Sequence, residues 1–208
     1  ILMPDINYLN PIIFFRPVEF SMRSPDNVLM GLYLNYDINN LQIYSQLLID
    51  DMNITRNNNQ NNEGEGGFFQ HKYAYQIGVK RVNKKLNFLL EYNQVQPYVY
   101  AHKSALQNYV HNNQSLAHPL GANFKEFVFI TEYRKGKLRI NNKLIFVNIG
   151  LDSLHTHYGQ NIFLSDLEAE LDGQEFSYGN FNGQGVLTNF ITYTSELSYS
   201  LKQFELFL

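Results

Sequence analysis

The stretch from Tyr73 to Asn93, YAYQIGVKRVNKKLNFLLEYN, decides how the rest of the chain is read. Tyr73, Tyr75, Ile77 and Val79 alternate with Gln76, Gly78 and Lys80. A polar turn at Asn83 to Lys85 follows, and then Leu86, Phe88, Leu90 and Tyr92 alternate with Asn87, Glu91 and Asn93. A period of two places alternate side chains on opposite faces of a strand, so this is an antiparallel hairpin with one apolar and one polar face. Folding it about the turn is expected to set Tyr73 opposite Tyr92, where two aromatic rings pair across the strands.

The same pattern extends in both directions. Met30, Leu32, Leu34 and Tyr36 share a face with Val28, and Leu41, Ile43, Ser45, Leu47 and Ile49 continue after a turn at 38–40. Downstream, Phe124 to Arg134 and Leu138 to Ile149 flank Lys135-Gly136-Lys137, with a slip of phase at Asn141-Asn142 that predicts a β-bulge. A last pair begins near Gly185: Leu187, Ile191, Tyr193, Leu197 and Tyr199 face one way, and Thr192, Thr194, Glu196, Ser198 and Ser200 the other. Strands are therefore expected at about 28–37, 41–51, 72–82, 86–93, 124–134, 138–149, 185–200 and 203–208. The connections alternate between tight (38–40, 83–85, 135–137 and about 202–203) and long (52–70, 94–123 and 150–184), and 57–67, NNNQNNEGEGG, reads as a polar loop tip.

Strict alternation of short and long connections is the habit of outer-membrane barrels, which have short turns on one side and long loops on the other. Soluble sandwiches mix connection lengths and cross between sheets. The fold expected is all-β, an antiparallel up-and-down outer-membrane β-barrel; the competing reading is a soluble, surface-associated β-sandwich that binds carbohydrate.

Composition is compatible with the barrel. No run of about 18 apolar residues is present, and the mean hydropathy is −0.31, but barrel strands need only about ten residues each and alternate, so their average looks soluble. A net charge of −3 with scattered lysines and arginines offers no basic surface to nucleic acid. Cysteine is absent, which removes disulfides, thiolate metal sites and cysteine nucleophiles. The start at Ile1, with neither an initiator Met nor a signal-like region, and the stop at Leu208 read as a piece of something longer.

Few residues suggest catalysis. His155 and His157 lie two apart with no third ligand spaced to complete a metal site, and His102, His111 and His118 share one long loop. Asp50, Asp51, Glu168, Glu170, Asp172 and Glu175 could supply paired carboxylates for glycan hydrolysis, although solvated loop acids are the plainer reading. Neither a nucleophile elbow nor a phosphate-binding glycine loop occurs. The 26 asparagines and 15 tyrosines suit binding instead: amides hydrogen-bond sugar hydroxyls and aromatic faces stack on sugar rings. Tyr98, Tyr100, Tyr109, Asn112 and Asn113 form a candidate glycan surface, weighed against the general preference of Asn for turns.

Several irregular blocks carry a resemblance. NPIIFFRPVEFSMRSPDNVLMGLYLNY, IYSQLLIDDM, LEYNQVQPYVYAH, NYVHNNQSLAHPLGANFKEF and GLDSLHTHYGQNIFLSD, in this order over nearly the whole chain, resemble the Wzi-like capsule-assembly and RemB-like gliding-motility proteins of Bacteroidota. Asp51 stands where Glu is frequent in that family, and Ser115 where Pro is frequent. The resemblance implies the C-terminal part of a larger outer-membrane barrel, with its long loops extracellular and no catalytic residue or cofactor. Its expected partners are outer-membrane lipids, capsular or exopolysaccharide, and components of gliding or secretion machinery. The stretch 108–124 then becomes an extracellular connection, in which His111, Asn113, His118 and Asn123 are structural first and glycan contacts second. Asp152-Ser153-Leu154 resembles a short O-glycosylation motif of Bacteroidota surface proteins, which makes Ser153 a candidate modification site.

Overall fold

The computed structural model describes residues 27–51, 71–154, 156–168, 178–201 and 205–207. The loop tip at 57–67, His155, Glu170, Asp172, Glu175 and the expected turn at 202–203 lie outside them.

The described residues form β1 (Met30–Ile38), β2 (Leu41–Asp51), β3 (Lys72–Arg81), β4 (Leu86–Val95), β5 (Val110–His111), β6 (Gln114–Ser115), β7 (Phe124–Lys135), β8 (Leu138–Leu151), β9 (Val186–Ser200) and β10 (Glu205–Phe207). Eight of them make one antiparallel sheet in the order β1-β2-β3-β4-β7-β8-β9-β10, while β5 and β6 pair separately. Every neighbour in the large sheet is the next long strand in sequence, so the sheet is a meander. No ladder joins β1 to β10 among the described residues.

Two of the tight turns have two residues each. Ile38 pairs with Leu41 around Asn39, whose φ is +53°, and Lys135 pairs with Leu138 around Gly136, whose φ is +60°. Left-handed backbone at the first turn position matches the twist of the flanking strands, and Asn and Gly reach it at least cost.

Register differs from expectation in the hairpin that opened the reading. Tyr75 lies opposite Gln94 and Ile77 opposite Tyr92, so Tyr73 does not face Tyr92. Tyr73 lies ten residues before Asn83 and Tyr92 only seven after Lys85, so folding about this turn carries Tyr73 past Tyr92; within the turn the Asn87 side chain accepts the Asn83 N–H at 2.7 Å. The aromatic pair that forms is the diagonal one, Tyr75 with Tyr92, ring centres 6.0 Å apart; both hydroxyls donate to Gln94 Oε1. The bulge expected at Asn141-Asn142 is also absent, because β8 pairs without a shift on both sides. Asn142 instead turns to the other face and bonds Thr131, Tyr193 and Ser195. The irregularity lies between Ile49 and Asp51, where β2 directs Asp50 into the interior.

The registers sort the side chains into two faces. Rows running across β4, β7, β8 and β9 on one face read Tyr92-Phe127-Phe146-Ile191, then Leu90-Phe129-Leu144-Tyr193, then Leu86-Tyr133-Ile140-Leu197. Ile77 on β3 and Leu34 on β1 share this face and are 53% and 60% exposed. The opposite face bears Gln46, Gln76, Asn93, Glu126, Glu132, Asn141 and Glu196. Its end nearest the long connections is apolar, and there Ala74, Val95, Phe124, Val147 and Ile149 are buried against Val99, Tyr100, Ala122 and Ile162 from those connections. The core therefore lies between the polar-sided face and the inward-folded loops, while the more apolar face of the sheet is left uncovered by the described residues.

Gly78 is needed where Tyr44 crosses β3: a Cβ there would run into the Tyr44 ring, whose hydroxyl donates to Glu91. Gly78→Val should displace that ring and lower stability by about 1–3 kcal/mol. Adding Tyr44→Ala should recover part of the loss, as read from denaturant midpoints.

Candidate functional site

The described parts of the connections 94–123 and 150–184 are packed, not splayed. In the first, Tyr98 and Tyr100 both take positive φ, +63° and +73°, a conformation that costs non-glycine residues of order 1–3 kcal/mol each. Burial of two aromatic rings offsets it. Tyr98 is 1% exposed, donates its hydroxyl to the His157 carbonyl at 3.0 Å and meets the His157 ring edge-on at 5.3 Å. Tyr100 stacks on Tyr109 at 6.1 Å, and burial, helped by the Asp50 charge, pushes its phenol up to about 12.

Asn123 is the junction of the three segments. Its Nδ2 donates to the carbonyls of Gly150 and Gln184, both at 2.9 Å, and its Oδ1 accepts the Gly183 N–H at 2.8 Å. It is fully buried at φ +58°, where Asn is among the residues best tolerated. Gly150 completes the junction, since a Cβ there would strike the Gln184 carbonyl.

Asp152 organises the second connection. Its carboxylate accepts N–H groups from Tyr158, Gln160 and Asn161 at 2.5, 3.4 and 3.0 Å, and its Oδ2 lies 3.0 Å from His157 Nδ1. Burial works against its charge, but His157 and the backbone donors outweigh that and hold the carboxyl below the usual carboxylate range. Lys72 fastens this segment to β3: its ammonium, fully buried, donates to Asp166 Oδ2 at 2.6 Å and to the Ala101 carbonyl at 2.7 Å. Burial and this ammonium keep the His102 imidazole below its ordinary range. Asp50 accepts the Tyr100 N–H at 2.8 Å and the Asn27 amide at 2.9 Å, so it too is occupied within the fold.

His118 joins its loop to the sheet. Its Nδ1 accepts the Leu120 N–H at 3.3 Å, which assigns the proton to Nε2, 3.1 Å from Glu126 Oε2. Its ring packs on Phe124 at 4.5 Å.

The eight residues expected to contact glycan thus divide. Tyr98, Tyr100 and Asn123 are buried and engaged within the protein, a correction to their place on a binding surface: their rings and amide close the core and the junction. His118 is half-buried between Phe124 and Glu126. Tyr109, His111, Asn112 and Asn113 remain together on the exposed β5–β6 hairpin, where Asn112 and Asn113 form a two-residue turn with φ of +46° and +58°. Ser153 is exposed in a tight reversal closed by its own bridge to Thr156. Among the described residues, no group of three or more His, Asp or Glu is placed to hold a metal ion. Sequence reasoning passed over Lys72, Asn108, Asp166 and Gln184, whose partners lie far away in the chain; Asn108 holds the Ile162 and Leu164 carbonyls from 54 and 56 residues away.

Asp152 gives a pH prediction. Its folded pKa is below the unfolded value of about 3.9, so its contribution is present above that value and lost as pH falls through the folded pKa. The thermal midpoints of wild type and Asp152→Asn should differ at neutral pH and converge below about pH 4; a gap constant with pH would refute this. In comparisons with known proteins, no family model, curated protein or solved structure matches the chain.

Proposed function

We propose that the chain is part of a non-catalytic outer-membrane β-barrel, the C-terminal portion of a larger one, whose long-loop end engages surface polysaccharide or a gliding or secretion component. The observation that supports the barrel most is the inversion of the faces: apolar rows lie uncovered on one side of the meander, while hydrogen-bonded amides and carboxylates line the side that the loops fill. A sheet bathed by water on its apolar side would be penalised over every strand, whereas lipid makes that arrangement favourable. A carbohydrate-binding sandwich would need a second large sheet over those rows.

Dimensions agree. On β7 this face runs from Lys125 to Lys135 through Phe127, Phe129, Thr131 and Tyr133. Ten residues at ~3.3 Å span ~33 Å along the strand, or ~25 Å across a membrane at a tilt of ~40°. Inside that span Asn142 donates to Thr131 and accepts from Tyr193 and Ser195, so these four polar groups are satisfied within the sheet. Among the described residues β1 and β10 have no partner on their outer edges, which suits the larger barrel that the resemblance to the Wzi-like and RemB-like proteins implies.

The role at the cell surface rests on that resemblance and on the exposed β5–β6 hairpin, which has the Tyr109 ring at its base and the amides of Asn112 and Asn113 at its turn. These groups suit sugar hydroxyls and ring faces.

The full-length protein, extracted from outer membranes in mild detergent, should show a gel-mobility shift between boiled and unboiled samples. A soluble protein with no shift would overturn the reading. Ile77→Lys and Leu90→Lys should cost roughly 2–4 kcal/mol of folding free energy into vesicles, and Gln46→Lys, on the opposite face and outside its hydrogen-bonded network, much less; equal costs would sink the assignment of faces. Tyr109→Ala combined with His111→Ala should reduce polysaccharide retained on cells, or gliding, with the heat shift intact. Unchanged surface phenotypes would remove the hairpin from the site.

A further inference from the structure

Across β4, β7, β8 and β9, the lipid-side row nearest the long loops is Gln94, Lys125, Asn148 and Asn189, each opposite the next. It is the polar border of the apolar band. The next row toward the tight turns is Tyr92, Phe127, Phe146 and Ile191. Between the two rows is a concavity of about 310 Å³, lined almost wholly by apolar surface.

We propose that this concavity is a binding site for an acyl lipid of the leaflet on the long-loop side whose phosphate headgroup carries net negative charge, with the phosphate on Lys125 and an acyl chain over Phe127, Phe146 and Ile191. The inference rests on the membrane-barrel reading above.

Charge identifies the occupant. Lys125 is exposed and forms no ion pair with a described residue. On the described strands it is the one charged side chain at this end of the lipid-side face, because its neighbour Glu126 points to the interior and bonds Asn93 and His118. Asn148 Nδ2 donates to Asn189 Oδ1 at 2.8 Å, which aligns the two amides beside the ammonium. The side-chain N–H groups of Asn189 have no acceptor among the described residues. A cation beside the Asn148–Asn189 amide pair and above an apolar trough has the chemistry of a net-anionic headgroup joined to hydrocarbon, whereas a zwitterionic lipid carries its own cation against the phosphate and gains mainly the trough. The width of the trough comes from the tilted rings of Phe127 and Phe146, centres 6.2 Å apart.

The test uses the full-length protein in nanodiscs of phosphatidylcholine alone and of phosphatidylcholine mixed with an equal part of phosphatidylglycerol, with retained lipid identified by native mass spectrometry after release into detergent. Wild type should retain phosphatidylglycerol over phosphatidylcholine by about fivefold. Lys125→Glu should abolish the preference, and Ile191→Trp, which fills the trough, should lower retention of both lipids. Lys135→Glu, at the opposite border, should leave the preference intact. A preference that survives Lys125→Glu, or that falls equally with Lys135→Glu, overturns the site while leaving the barrel standing. A protein that enters neither nanodisc and shows no heat shift overturns the membrane reading, and the site with it.

Discussion

Across β3, β4 and β7, Gln76 donates to Asn93 and Asn93 to Glu126, each at 2.9 Å, while Asn93 also reaches Glu91, which accepts the Tyr44 hydroxyl from β2. This chain of side chains joins four strands on the inner face, and every member needs its neighbour at one register. A slip by one residue would turn Ile77, Leu90 and Phe129 inward among carboxylates and leave the amides on the apolar side, each without a partner. The uncovered apolar rows, the loop-filled interior and the polar border at Lys125 all presuppose this register. Networks of this kind are costly when broken, because a half-satisfied buried carboxylate keeps its desolvation penalty and loses its compensation.

The interior network reaches the loops through His118, which links Glu126 to the segment that follows the β5–β6 hairpin; separately, Lys72 links β3 to Asp166. Buried ion pairs add little net stability, but removing one partner strands the other charge at a cost of about 3–5 kcal/mol. Lys72 and Asp166 are 94 residues apart in sequence, so their pairing selects one placement of the second connection over the sheet. Asn123 does the same for three segments at once. The hairpin that carries Tyr109, Asn112 and Asn113 is held at its base by the stacking of Tyr109 on Tyr100 and is exposed from there to its turn.

Particular residues show how far the sequence could be read. Strands with period two were found within about two residues of their ends, because side-chain alternation is a local property repeated over ten or more positions. The turn at Asn83 to Lys85 is local and lies where its residues place it, but Tyr73 is ten residues before it and Tyr92 seven after, so the ring that Tyr92 meets is that of Tyr75. Asn141-Asn142 looked like a bulge because both are polar, yet Asn142 faces outward and finds three polar neighbours on β7 and β9. Nothing local marks Asp50 as the bulged residue or Lys72 as a buried cation, since both depend on the loops that cover them.

Alternation, turn chemistry and the lengths of connections depend on neighbouring residues alone, and from these the amino-acid sequence by itself determined an antiparallel meander with one apolar and one polar face. Only the tertiary structure decided which face the loops would cover, that Tyr98, Tyr100 and Asn123 would be buried while Tyr109, Asn112 and Asn113 stayed outside, and that Lys125 would border an apolar trough. Those outcomes rest on contacts between residues tens of positions apart, whose free energy arises when the chain closes on itself and leaves no periodic trace along it.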